Sequence, residues 1–365
     1  MLPLETGSTN PPFNLAVEEA LLAAVQPGEP GWFLLWQNSP AVIIGRHQDA
    51  RSEVNLAELD RRNIALVRRM TGGGAVYHDY GNLNFSFILP LEAGEEPRPE
   101  ELLAPLLHYL RGLGLDVVMA GRNDLSLKRE GQLPAKVSGL AGRRLPGKYQ
   151  LHGTLLFAVD LSMLEKVLRV DPEKFRSKGV ASLRARVANL KPYLALELPE
   201  LWAGIQKAYG GNPSALPEEI REAAHRLARE KYAAKAWNIG QAPPGSLVLK
   251  KRFAFGSLEL HLDTAKNRIR TATITGDFLT PGGAGEQIPV EKLAEALKGL
   301  PADAPEAWAT AWQDIDMRRI FYGQAEKEEI LAWLRGATNE QAEEHENSDG
   351  KNQDPGLGKG CKEPA

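Results

Sequence analysis

Apolar residues recur along this chain at two spacings, and these divide it into helices and strands. Over 14–25 the run NLAVEEALLAAV, with Phe13 before it, sets Phe13, Val17, Ala20, Leu21 and Ala24 on one face of a helix. Asn14 can cap that helix, and Pro27 and Gly28 stop it. Glu18 and Glu19 read as solvated rather than catalytic side chains. Strands are predicted at 32–36 and 41–44, joined by the turn Gln37-Asn38-Ser39-Pro40. A short helix near 55–61 leads to a strand at 65–69, and a strand-like piece follows at 75–77. Residues 82–89 alternate and predict a long strand. Leu102, Leu103, Leu106, Leu107 and Leu110 line one side of a helix over 99–111. Strands at 117–119 and 152–157 flank a basic, glycine-bearing loop at 142–148. A helix at 160–168 takes Asp160 as its cap, and helices near 200–209 and 217–231 close a first domain.

From Ala236 the pattern changes. Gly240, Pro243, Pro244 and Gly245 predict a linker. Strands at 246–255, 256–263 and 267–276, with helices near 290–297 and 325–334, predict a small α+β unit. The expected division is a domain at 1–240, an accessory domain at 246–335 and a tail at 336–365. Between 341 and 360 the aliphatic side chains are Ala342 and Leu357, so the tail cannot bury a core and is expected to be disordered.

Composition narrows the function without naming it. The 365 residues, 43% of them hydrophobic, suffice for one large domain and a smaller one. Lys plus Arg is 44 against 47 for Asp plus Glu, so no overall basic bias points to nucleic acid. The one cysteine, Cys361, permits no intrachain disulfide and fits a reducing compartment. The start MLPLETGSTNPPFN lacks a secretory pattern, and no apolar run approaches ~18 residues. A cytoplasmic protein with no membrane partner is the expectation.

The densest chemistry lies in RRMTGGGAVYHDYGNLN, Arg68 to Asn84. Gly72, Gly73 and Gly74 in succession permit close backbone approach. Their N–H groups can cradle an anion, and Arg68 and Arg69 add donor forks. The same residues also fit a plain tight turn. The stretch matches neither G-x-G-x-x-G nor G-x-x-x-x-G-K-[ST], so neither a dinucleotide fold nor a P-loop is implied. Arg46, Arg68, Arg69, Arg122, Asn123, Asp124, Lys136 and His152 fall at or near strand ends or in the following loops, a place where ligand groups gather. Lys136, before VSGLA, is either a surface lysine or the group that holds a phosphate and a carboxylate together. Asp124 suits a magnesium ion on a triphosphate, or an Asx turn or helix cap. His78 and His152 lack metal-ligand spacing, so a structural zinc site is not expected.

In combination these segments resemble the lipoate–protein ligases, a family related in fold to biotin–protein ligases and octanoyltransferases. The resemblance is carried by NLAVEE at 14–19, VIIGRHQ at 42–48, RRMTGGGAVYHDYGNLNFSF at 68–87, GRNDL at 121–125, KVSG at 136–139, HGTLL at 152–156 and KFRSKGVASLRARVANL at 174–190. It is strong over 10–190 and weaker through WNIG at 237–240 to about 335. It implies an α+β fold, with a biotin/lipoate ligase-like mixed-sheet catalytic domain and a small α+β accessory domain. It also implies activation of free lipoate or octanoate with ATP and Mg²⁺ to an acyl-adenylate. Transfer then follows to a lysine of lipoyl domains of 2-oxoacid dehydrogenase complexes or of the glycine-cleavage H protein, by a monomeric enzyme.

By this resemblance Lys136 is the catalytic lysine. Arg69 and Gly72, Gly73 and Gly74 line the acyl and phosphate end. Val76, Tyr77 and His78 lie by the adenylate. Asn82, Asn84, Asn123, Asp124, Ser138, Gly139 and His152 complete the wall, and Arg184 and Arg186 approach the nucleotide. Asp124 is also the expected magnesium ligand. The accessory domain is expected to close the site against water, hinging near 240–245. Two departures, Leu140 in SGLA and Gln150-Leu151 before His152, bear on acyl-chain preference. Three alternatives stay open: an acyl transferase of the same superfamily, a biotin–protein ligase, and a non-catalytic binding protein. A transferase working through a thioester lacks its thiol here, since no cysteine precedes Cys361.

Overall fold

The computed structural model describes residues 1–121, 123–169, 186–243, 245, 247–280, 289–321 and 325–336. The expectations for Arg122, for Arg184 and for the tail from 337 onward fall outside the described residues. In chain order the strands begin β1 (Leu2–Glu5), β2 (Trp32–Trp36), β3 (Ala41–Ile44), β4 (Ala65–Arg68), β5 (Val76–His78), β6 (Asn82–Pro90) and β7 (Val117–Ala120). They continue with β8 (Asp124–Arg129), β9 (Gln132–Leu145), β10 (Lys148–Leu156), β11 (Ser214–Ala215), β12 (Leu247–Phe253), β13 (Gly256–Ala265) and β14 (Arg268–Gly276).

The main sheet is mixed, in the order β11-β1-β2-β6-β10-β9-β8-β7. Strand β1 runs parallel to β2 and β11, and the pairs from β2 to β7 are antiparallel. A small sheet, β4-β3-β5, carries the glycine turn between its second and third strands in the chain, and β12-β13-β14 forms a third sheet.

The alternation in β6 explains where the site lies. Leu83, Phe85 and Phe87 pack into a core with Leu103, Leu106 and Leu110 of the Pro99–Gly112 helix and with Leu201 and Ile205. Their neighbours Asn82, Asn84 and Ser86 point to the other face. These are buried as well, at 0%, 2% and 0% exposure, rather than solvated. The Pro11–Ala24 helix covers that face, packing with Ile43, Val67 and Ile88. The opposite faces of β6 thus carry an apolar core and a buried polar floor.

Several expectations need correction. The first helix starts at Pro11, not after Asn14, because Asn10 Oδ1 accepts the Phe13 N–H at 2.9 Å and Pro11 and Pro12 occupy the first turn. Glu18 is 2% exposed and Glu19 binds Lys231 and Tyr232, so neither is a simple solvated carboxylate. A helix apolar nearly all round is buried, and its carboxylates then need partners. The expected loop at 142–148 is mostly strand. Strand β9 runs on to Leu145 and turns into β10 through Pro146 and Gly147, the latter at φ +69°. Lys136 therefore lies inside a 14-residue strand rather than at a strand start.

The accessory unit has its own core, built from β12–β14 and helices that include Pro289–Ala296 and the unforeseen Pro305–Trp312 and Met317–Ile320. Trp308 and Trp312, four residues apart, are both fully buried in it. This unit touches the glycine turn. Gly73 N donates to Phe278 O at 3.0 Å, and Gly276 N donates to His47 O at 3.0 Å. The His47 ring stacks on Phe278 at 5.0 Å, and its Nε2 is 3.1 Å from Thr280 Oγ1.

Candidate active site

A cavity of about 230 Å³ lies between the main sheet, the small sheet and the accessory unit. Its walls include Arg69, Gly73, Gly74, Val76, Tyr77, His78, Asn84, Asn123, Asp124, Lys136, Gly139, His152 and Arg186, which the sequence names from distant segments. Gly72, Asn82 and Ser138 are outside the lining. Arg252 and Asp277 reach the same cavity from the accessory unit.

The glycine turn is held by Arg69. Its Nε donates to Thr71 Oγ1 at 3.0 Å and its Nη1 to Ile43 O at 3.2 Å. Its Nη2 donates to Gly72 O at 2.6 Å and Gly74 O at 2.9 Å. Burial lowers its pKa to about 10, which leaves it charged near neutral pH. Arg68 is committed elsewhere, to the carbonyls of Gly45, Arg46, Gln48, Trp237 and Asn238. Arg46 lies over Trp237, 4.5 Å from the ring centroid. Neither Arg46 nor Arg68 enters the cavity lining, although sequence position grouped them with the site. The glycines also serve domain contact. A Cβ on Gly72 would stand 2.4 Å from Phe278 O, so the accessory backbone sits where a side chain would be.

Behind the turn runs a buried polar chain. Glu18 carboxylate oxygens lie 2.9 and 3.0 Å from His152 Nδ1, which therefore carries a proton towards them. His152 Nε2 lies 2.8 Å from Thr71 Oγ1, the oxygen that accepts from Arg69. Ser86 Oγ donates to Glu18 Oε1 at 2.6 Å, and Trp36 Nε1 donates to Ser86 Oγ at 2.8 Å. Glu18 is the buried polar residue behind the site that the helical pattern missed. Its signal was a carboxylate within an almost uninterrupted apolar run.

Across the cavity the charges cluster. Lys136 Nζ is 2.6 Å from Asp124 Oδ1, and Arg186 Nη2 donates to Asp124 Oδ2 at 2.9 Å. A Cβ on Gly139 would come within 3.0 Å of Lys136 Nζ, so this glycine leaves the lysine its room. Gly139 N donates to Thr154 Oγ1 at 3.1 Å. The remaining wall is apolar, with Leu15, Trp36, Ile43, Leu140, Val159, Leu161 and Leu164. Leu140 belongs at once to this wall and to the main core.

Residues 10–208 match the lipoyl protein ligase A/B catalytic domain, and 242–334 match the bacterial lipoate protein ligase C-terminus. A Staphylococcus aureus lipoate–protein ligase is 36% identical over 329 residues, covering 88% of this chain and 96% of that protein. The chain belongs to the lipoate–protein ligase family. A Bacillus subtilis lipoate–protein ligase is 34% identical over 318 residues, 82% of this chain and 94% of its own. Among solved structures, an archaeal lipoylation system from Thermoplasma acidophilum, with a bipartite lipoate–protein ligase, matches at 32% identity and TM-score 0.57. That match covers 67% of this chain and 98% of the other. Plasmodium falciparum LipL1 in complex with lipoate shares the fold at TM-score 0.71 and 22% identity, covering 91% and 98% of the two chains. As a lipoate–protein ligase the chain is an enzyme that activates lipoate with ATP and transfers it to an acceptor lysine. Matching both the catalytic domain and the ligase C-terminus sets it apart from the rival readings of the sequence. Among the described residues no helix is long and apolar enough to cross a membrane.

Proposed function

We propose that the cavity holds lipoate, or octanoate, with its chain against the apolar wall and its carboxylate beside Lys136. One observation carries this reading: an apolar wall and the Lys136–Asp124–Arg186 cluster share one cavity. An acyl chain ending in an adenylate has the same division of apolar and anionic parts. In the first step a carboxylate oxygen bonds to the α-phosphorus of ATP as the bond to pyrophosphate breaks. Two anions approach each other, and Lys136 offsets their repulsion. In the second step the acceptor lysine amine bonds to the acyl carbon and AMP leaves.

Magnesium is part of the proposal, and the donor set fits it. No group of three or more His, Cys, Asp or Glu side chains among the described residues could hold a metal alone. Mg²⁺ at phosphate sites needs only one or two carboxylates, and Asp124 supplies one. When bound it would neutralise phosphate charge. Lys136 and Arg186 hold the same carboxylate in position.

The Arg69-braced turn keeps Gly73 and Gly74 at the cavity edge, and the accessory unit resting on it excludes water from a hydrolysable adenylate. Lipoyl domains are the proposed acceptors, with those of 2-oxoacid dehydrogenase complexes and the glycine-cleavage H protein as the specific candidates. The enzyme is proposed to act as a monomer in the cytoplasm, where a chain with one cysteine needs no disulfide. ATP–pyrophosphate exchange, run with lipoate, octanoate and other acids, tests the reading. Exchange should require a free acyl acid. Exchange without acid, or none with any acid, would overturn it.

A further inference from the structure

We propose that His78 is a neutral hydrogen-bond donor, presenting Nε2–H to an oxygen of the bound acyl-adenylate. This deepens the function proposed above and rests on it for the identity of the ligand. The position of the proton follows from a chain of fixed partners. Asn14 Nδ2 lies 3.1 Å from Ser8 O and 2.9 Å from Gln37 O. Backbone carbonyls only accept, so this end of the Asn14 amide is its nitrogen. The same nitrogen is 2.9 Å from the Asn38 side chain, whose facing atom must then be Oδ1. That orientation turns Asn38 Nδ2 towards His78 Nδ1, at 3.1 Å. An amide nitrogen has no lone pair to offer, so Nδ1 accepts, and the proton of the neutral ring sits on Nε2.

The ring is neutral for a physical reason. Burial, reinforced by Arg69 and His152, lowers its pKa to about 3. His78 is 3% exposed and lines the cavity, yet Nε2 has no partner among the described residues. Buried donors in native proteins are paired with few exceptions, and an unpartnered donor on a residue that lines a ligand cavity marks a place for a ligand acceptor once the ring shifts slightly towards it. A carboxylate, an acyl carbonyl and an α-phosphate oxygen are all such acceptors. A neutral donor held in place stabilises charge growing on an oxygen without titrating over the working range. His152, the other histidine of the cavity, differs because Glu18 and Thr71 occupy both its nitrogens.

Imidazole ¹⁵N NMR on the full-length protein tests the assignment before any ligand is added. His78 should show a protonated Nε2 and an unprotonated Nδ1, with no titration between about pH 5 and 8. Lipoate alone, AMP alone and a non-hydrolysable sulfamoyl analogue of lipoyl-adenylate are then added in turn. A downfield shift of Nε2–H with lipoate assigns the acyl oxygen. A shift only with AMP and the analogue assigns the phosphate oxygen. A proton on Nδ1, titration within that range, or no shift with the analogue bound overturns the proposal. Variants add a rate: His78→Gln keeps an N–H and should stay within about tenfold of wild type in exchange. His78→Phe should lose about a hundredfold at similar melting temperature. Equal losses in the two would also overturn it. Wild-type exchange measured alongside separates the failures, since absence of lipoate-dependent exchange sinks the function while leaving the tautomer measurable.

Discussion

Two walls of one cavity treat their polar groups in opposite ways. On the glycine-turn wall, Arg69 gives its donors to Thr71 and to the carbonyls of Ile43, Gly72 and Gly74, and Gly73 gives its N–H to Phe278. The other wall is made by β5, β6 and β9, and there His78 Nε2 and Asn84 Nδ2 are buried without partners among the described residues. On this strand wall Lys136 stands in an ion pair with Asp124. The first wall is a brace with its hydrogen bonds already made. The second holds donors that have no protein partner among the described residues. Strongly charged residues in a site are thus not all ligand groups. Arg69 has its donors committed to the turn, and His78 is the residue we propose to touch the ligand.

The comparison can be broken most sharply at Lys136. Lys136→Ala should lower acyl-dependent exchange by about a thousandfold or more with little change in melting temperature. Full activity in that variant would remove the strand wall from the chemistry. Arg69→Ala should act the other way, chiefly on stability. It leaves three carbonyls and Thr71 without their donor inside the protein, a loss of about 3 kcal/mol or more by denaturant titration. An Arg69→Ala protein as stable as wild type would show that the turn needs no brace.

A smaller effect is expected from Gly72→Ala, whose Cβ collides with Phe278 O. The accessory unit should lift from the turn, making the 240–245 segment cleave faster under limited proteolysis and reducing exchange about tenfold. Unchanged cleavage would argue that the contact between the units is incidental. The last effect is that of pH. His47 and His78 both have their pKa lowered to about 3, by burial first and then by Arg46 and Arg68 or by Arg69 and His152. Unfolded, each binds a proton near pH 6.5. Between these values the unfolded chain holds more protons, so their contribution is full above about pH 6.5 and falls as pH drops towards 3. The loss is on the order of 1 kcal/mol per pH unit for each histidine. Urea titrations at about pH 7 and pH 5 measure it, and His47→Gln and His78→Gln should each flatten the dependence.

Much of the fold was legible because its signals are local. The alternation of β6, the leucine face of Pro99–Gly112 and the turn after β2 each lie within a few residues. The β8–β9 hairpin was not legible. Pro134, Lys136 and small residues break its pattern, and pairing with β10 holds it as strand. The site divided in the same way. Lys136, Asp124, His152 and the turn glycines were found through their motifs, whereas Glu18 was read as solvated because nothing in its own segment shows what covers it.

The sequence by itself determined the family and most of the elements, since spaced motifs and apolar periods are properties of short segments. The tertiary structure alone decided which polar groups are already paired and which, among the described residues, are buried without a partner. Hydrogen-bond partners here are set by packing across the chain: Glu18 meets His152 134 residues away, and Arg68 meets Trp237 169 residues away. A side chain's capacity to bind is what remains after such partners have been found, and only the packed structure brings them together.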